Sequence, residues 1–141
     1  MFLMILAVVA IPSIAAERVV QPRVVTERVQ HDTDDPAIWI HPEDPAQSLI
    51  LGTDKDADGA LYVFDLEGRI QPSKVVRGLA RPNNVDIARG VFVGDQRVDV
   101  ALVAERFAHR LRAYRLPDMA PIDGGGIPVF VGERARDVMG I

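Results

Sequence analysis

The feature that most constrains this chain is a recurrence. Displaced by 50 residues, Ser48–Leu66 lies on Val98–Leu116 without a gap. Leu61 then meets Leu111, Phe64 meets Tyr114 and Leu66 meets Leu116. The polar connection Asp54–Gly59 falls on Ala104–His109, while Leu49–Leu51 meets Asp99–Ala101 less well. A repeat of about this length, built from roughly four antiparallel strands, is a β-propeller blade. Two amphipathic hairpins that resemble each other by coincidence are the rival reading.

The local patterns favour strands throughout. Ala37–Ile40 is a compact β-prone run, closed by the turn His41-Pro42-Glu43-Asp44-Pro45. Ser48–Thr53 and Ala60–Asp65 follow, joined by a polar connection and ended by Glu67-Gly68. Arg69-Ile70-Gln71 is expected to begin a fourth strand. Val85–Ile87, Val98–Val103 and Arg110–Leu116 continue the pattern. Ten Pro and eleven Gly leave few segments able to hold a long helix. Short strands at regular spacing predict an all-β fold.

Length then becomes informative. Propellers have roughly four to eight blades, and residues 34–141 hold about two. A blade buries its apolar face only against neighbours. The chain is therefore expected to be the N-terminal part of a larger ring. By itself it is expected not to fold stably, since two blades leave open faces and unpaired edges.

Residues 1–16, MFLMILAVVAIPSIAA, carry no charge before Glu17. The run is too short to span a bilayer as a helix. It ends with Ser13 and Ala15, or Ile14 and Ala16, placed for signal-peptidase cleavage. This predicts a secretory signal peptide, although the usual basic n-region is missing. A buried N-terminal element is the alternative. Residues 17–33 then form a lead-in and residues 34–141 a partial propeller domain. Export would make the mature chain secreted or periplasmic, where calcium is available, with no membrane association once the leader is removed.

Charge and cysteine content exclude several classes. Twenty acidic residues against sixteen Lys and Arg give a net charge of −4. A generic nucleic-acid binder would carry the opposite balance. There is no cysteine, hence no disulfide, Cys-based zinc site or thiol nucleophile. No Gly-x-Ser-x-Gly, P-loop or His-Glu-x-x-His occurs, and His31, His41 and His109 lack metal spacing. Hydrolysis by this chain would need metal-activated water.

Three short stretches carry the candidate chemistry. Asp32-Thr33-Asp34-Asp35-Pro36 places three carboxylates ahead of a strand. Hard cations take oxygen ligands, and Pro36 still offers its carbonyl. A solvated acidic turn is the competing reading. Thr53-Asp54-Lys55-Asp56 is either a surface charge cluster or an ammonium aimed at a phosphate. Arg81-Pro82-Asn83-Asn84-Val85-Asp86 offers several oxygen acceptors, though Asn-Asn is also ordinary turn chemistry. Asp54–Gly59 approaches an EF-hand loop, but its twelfth position is Asp65 and not Glu. Arg106 falls one position from Lys55 on the displaced repeat. Equivalent positions in adjacent blades face the same end, so Lys55 and Arg106 can meet one anion, with the Arg fork suited to phosphate.

Taken in order, these stretches are recognisable. Asp34-Asp35-Pro36-Ala37-Ile38-Trp39 with His41-Pro42 and Asp44-Pro45, then Gly52-Thr53-Asp54-Lys55, then Gly59–Gly68, then Asn83-Asn84-Val85-Asp86, resemble the β-propeller phytases. The resemblance runs from about Asp32 to Ile141. It implies a six-bladed calcium-dependent enzyme that releases phosphate from phytate, acting as a monomer at full length. Carried over, Asp35 would give a carboxylate to calcium, and Pro36 and Val85 backbone carbonyls. Asn84 lies near the same metal. Lys55 and Arg106 would match the family's phosphate-binding residues. Ala88-Arg89 and Met139 depart from the family pattern at positions outside this set. A non-catalytic calcium-stabilised propeller that binds phosphorylated or sugar ligands, or an inactive fragment, are the alternatives.

Overall fold

A computed structural model describes residues 20–133 and 135–141. The expected leader, 1–16, lies outside the described residues. The first sheet holds β1 (Thr33–Trp39), β2 (Leu49–Asp54), β3 (Gly59–Phe64) and β4 (Val76–Leu79), antiparallel and in chain order. The second holds β5 (Pro82–Val93), β6 (Gln96–Glu105) and β7 (Arg110–Leu116). Two short strands, β8 (Ala120–Pro121) and β9 (Ile127–Pro128), pair with opposite ends of β7. Among the described residues the helical elements are two single 3₁₀ turns, Pro45–Gln47 and Pro72–Lys74. The chain is all-β, and its two sheets are propeller blades.

Period-2 alternation builds the core. On β3, Leu61 and Val63 face one way, and Ala60, Tyr62 and Phe64 the other. Leu61 and Val63 join Leu49, Leu51 and Leu79 of the first blade. Trp39 of β1, Val85, Ala101, Val103, Tyr114 and Leu116 of the second blade, and Met119 complete this one cluster. The opposite face of β3 packs on Val29, Ile50, Ile70 and Val75. Val29 brings the lead-in onto the outer face of the first blade. Glu27 pins it further: its N–H donates to the Gly68 carbonyl at 2.8 Å, and its carboxylate accepts the Ile70 N–H at 2.6 Å.

Pro36 sits on β1, which pairs on one side only, with β2. An edge strand tolerates the missing donor. At the other end of β1 the Trp39 indole N–H donates to Asp99 Oδ2 at 2.8 Å, across the blade interface. Asp99 Oδ1 accepts the Gly90 N–H, also at 2.8 Å.

Two expectations need correction. The fourth strand of the first blade is Val76–Leu79. Arg69-Ile70-Gln71 supplies one isolated bridge, Ile70 to Phe64. The short Val85–Ile87 strand is the middle of a twelve-residue β5. Bulges between Pro82 and Asn84 and between Ala88 and Val91 let it run on past Asn, Asp and Gly.

Candidate phosphate and cation site

β1 and β5 begin, and β2 and β6 end, at the same end of the two blades. All six candidate residues lie there. The first blade is organised by Asp54, a buried carboxylate. Its Oδ1 accepts the Asp32 N–H at 2.7 Å and the His31 N–H at 3.1 Å. The next residue, Lys55, returns its own N–H to the Asp32 carbonyl at 2.7 Å. The lead-in is thus clamped to the end of β2. The Lys55 ammonium donates to Asp34 Oδ1 at 2.9 Å and lies 3.8 Å from Asp32 Oδ2.

Asp35 ties the blades together. Its N–H donates to the buried Thr53 hydroxyl at 2.9 Å. Its Oδ2 accepts the Val85 N–H at 3.0 Å, from the second blade. Asp35 and Val85 are therefore in direct contact, with Pro36 and Asn84 adjoining them in the chain. The Asn84 and Asn83 side-chain oxygens are both buried without a hydrogen-bond partner. The Asn83 amide N–H donates to Met139 Sδ at 3.4 Å.

The second blade repeats the first in its backbone. Glu105 is fully buried at the end of β6, and its Oε1 accepts the Ala80 N–H at 2.8 Å. Arg106 then donates its N–H to the Arg81 carbonyl at 3.0 Å, as Lys55 does to Asp32. The ladders agree: Thr33 pairs with Asp54, and Pro82 with Glu105. So Lys55 and Arg106 are structural equivalents. The two loops also meet, because the Arg81 N–H donates to the Asp56 carbonyl at 2.9 Å. Arg81 has φ of 56°, a left-handed conformation, while making both contacts.

The side-chain chemistry differs between the loops. The Arg106 guanidinium donates to Asp137 Oδ2. That hydrogen bond holds the Asp137 carboxyl below the usual carboxylate range and the guanidinium above its ordinary value. Lys55 and Arg106 are each matched to a separate acid. Glu105 in turn carries both the Arg110 guanidinium and, at 3.8 Å, Arg112.

The donors around Asp35 are all oxygens, the set that hard cations prefer. The Asp35 carboxylate, which meets the Val85 N–H, and the buried unpartnered oxygen of the preceding Asn84 are of the type such a site uses. Among the described residues no three His, Asp or Glu side chains gather around one point. Calcium takes six to eight ligands, so these residues would supply part of a shell.

Sequence reasoning gave no separate role to Asp54, Glu105, Thr53 or Asp137, although Thr53 and Asp54 stand in the stretch singled out around Lys55. The first two were within reach: each is an acid directly before a candidate cation. The gapless displacement set Asp54 against Ala104 and hid the match. A cavity of about 560 Å³ lies at the other end of the blades, against Trp39, His41, Arg89, Arg97 and Leu116, away from all six candidates.

The family model described as Phytase matches residues 3–115, beginning inside the expected leader. A 3-phytase of Bacillus subtilis (strain 168) is 34% identical over 73 residues, which is 52% of this chain and 18% of that protein. The matched region thus spans less than a fifth of that relative's length. With the family match extending over most of the chain, this protein belongs to the Phytase family.

Proposed function

We propose that this chain forms one wall of the active site of a calcium-dependent phytase, which releases phosphate from myo-inositol hexakisphosphate. The observation that carries this reading is the ladder equivalence of Lys55 and Arg106, beside the junction of Asp35 with Val85. Two cations at repeating positions suit a substrate that presents several phosphates. The Arg106 fork takes two oxygens of one group, and the Lys55 ammonium acts as a point charge.

In this reading Asp35 gives its free carboxylate oxygen to calcium, Pro36 and Val85 give backbone carbonyls, and Asn84 an amide oxygen. The chemistry such an ion supplies is neutralisation of phosphate charge and acidification of water. The chain's own residues bind and orient. An arriving phosphate exchanges with Asp34 on Lys55 and with Asp137 on Arg106. Both cations are therefore held in place before substrate arrives, which lowers the ordering cost of binding. As negative charge spreads over the phosphoryl oxygens, both cations stabilise it.

An acidic chain should repel a polyphosphate, and a bound cation reverses that local field. Export of the mature protein to the periplasm or exterior, as a monomer at full length, completes the proposal. Among the described residues no helix is long and apolar enough to cross a membrane. The test is phosphate release from calcium phytate by the full-length protein, with and without chelator. Release should stop when calcium is removed and return when it is restored. Activity that survives full calcium removal overturns the mechanism.

A further inference from the structure

We infer that Asp54 and Glu105 are positioning residues that set the two phosphate-facing cations, one in each blade. The inference rests on the assignment of Lys55 and Arg106 to phosphate and adds what holds them there. Three observations support it. Each acid is the residue immediately before its cation, and each side chain is buried. Each accepts a backbone N–H from the segment that leads into the blade's first strand: His31 and Asp32 for Asp54, Ala80 for Glu105. That segment in turn accepts the N–H of the cation residue, through the carbonyl of Asp32 or Arg81. Acid, lead-in and cation thus close one small ring in both blades.

The spacing explains why the unit is invisible to a simple repeat. Asp32 to Arg81 is 49 residues, and Lys55 to Arg106 is 51. The two displacements average to the 50-residue period, but each strand end is offset by one. A shared hydrogen-bond pattern at unequal spacing marks a geometry that the fold maintains. Without the acid, two backbone donors in the first blade, or one in the second, lose their acceptor. The lead-in then has no fixed position from which to hold the cation's N–H. The loop tilts, and the ammonium or guanidinium moves with it.

The test compares inorganic phosphate binding by calorimetry in full-length wild type, Lys55→Ala, Asp54→Asn and Asp54→Glu. An asparagine keeps one acceptor oxygen but loses the charge that strengthens both bonds and turns an NH2 toward the His31 N–H where Oδ2 lies 3.3 Å from it, so Asp54→Asn should weaken phosphate about tenfold, as Lys55→Ala does. Asp54→Glu should recover most of the affinity, since glutamate fills this role in the second blade. Amide exchange at His31 and Asp32 should quicken in Asp54→Asn. The inference is overturned if Asp54→Asn only melts earlier and binds phosphate as wild type does while Lys55→Ala loses it. If Lys55→Ala also binds normally, the phosphate assignment itself falls. Should Asp54→Asn fail to fold, Glu105→Gln and Arg106→Ala replace it and Lys55→Ala. Weakened phosphate binding in both then supports the inference, and normal binding by Glu105→Gln beside a loss in Arg106→Ala overturns it.

Discussion

In the first blade Asp54 is buried against two backbone N–H groups. In the second, Glu105 meets one backbone N–H and two arginines, Arg110 and Arg112. The inner edges of the blades superimpose in hydrogen-bond pattern, while their outer edges diverge. The first blade closes with the four-residue β4, and the second with two two-residue strands on opposite ends of β7. The difference shows where the repeat is constrained. The end that carries Lys55 and Arg106 keeps its ring of contacts even though the acid changes length. The periphery, with no such ring, is free to vary.

The largest expected break in this comparison is in the core. Leu61 is fully buried in the cluster shared by both blades, whereas its repeat partner Leu111 is only half-buried and lies outside that cluster. Leu61→Ala should cost about 3 kcal/mol of stability by denaturant unfolding, and Leu111→Ala about 1 kcal/mol. Equal costs would mean that the two hairpins are packed alike.

A second test uses acid. Asp123 in the second blade is driven upward by burial. It is driven down more by the Arg112 hydrogen bond and by the N–H groups of Ala113 and Gly125. Its carboxyl ends below the usual carboxylate range. A depressed folded pKa stabilises above the ordinary carboxylate pKa of about 4 and is lost as pH falls through the folded value. Amide exchange around β7 should therefore accelerate below about pH 4, and Asp123→Asn should flatten that dependence. An unchanged pH profile in the variant would remove Asp123 as the cause.

The smallest effect sharpens the contrast. In the first blade Arg69 pairs with Asp65 and Glu67 at the surface, with the guanidinium two-thirds exposed. Solvent and salt screen such pairs. Arg69→Ala should leave the melting temperature within error, and a clear drop would show that surface pairing matters here.

How much of this was legible follows from the residues. β2, β3, β6 and β7 announce themselves by alternating apolar residues between polar turns. β4 does not: Val76-Arg77-Gly78-Leu79 has two exposed central residues, and Gly78 has φ of 72°. Its pairing with β3 decides that it is a strand, and no local propensity reports that. β5 hides behind Asn83, Asn84, Asp86 and Gly90, all poor strand formers. Lys55, Arg106, Asp35 and Val85 were reachable because charge and order mark them. That Lys55 and Arg106 are equivalents was blurred, because the connection after Lys55 is one residue longer than the one after Arg106: Asp54 pairs with Ala60, but Glu105 pairs with Arg110. Asp54 and Glu105 draw no structural role from the sequence because an acid beside a cation normally reads as solvated surface.

The Trp39–Asp99 hydrogen bond has one more consequence. Trp39 is the chain's single tryptophan. It is 2% exposed, and its indole N–H is bound across the seam between the blades. Its fluorescence is therefore an intrinsic optical gauge of blade seating. Emission should be blue-shifted while the blades are docked and should move to the red as they part. Under denaturant a red shift that precedes the loss of far-ultraviolet circular dichroism would mark undocking before the strands themselves are lost, and coincident changes would mark a single transition.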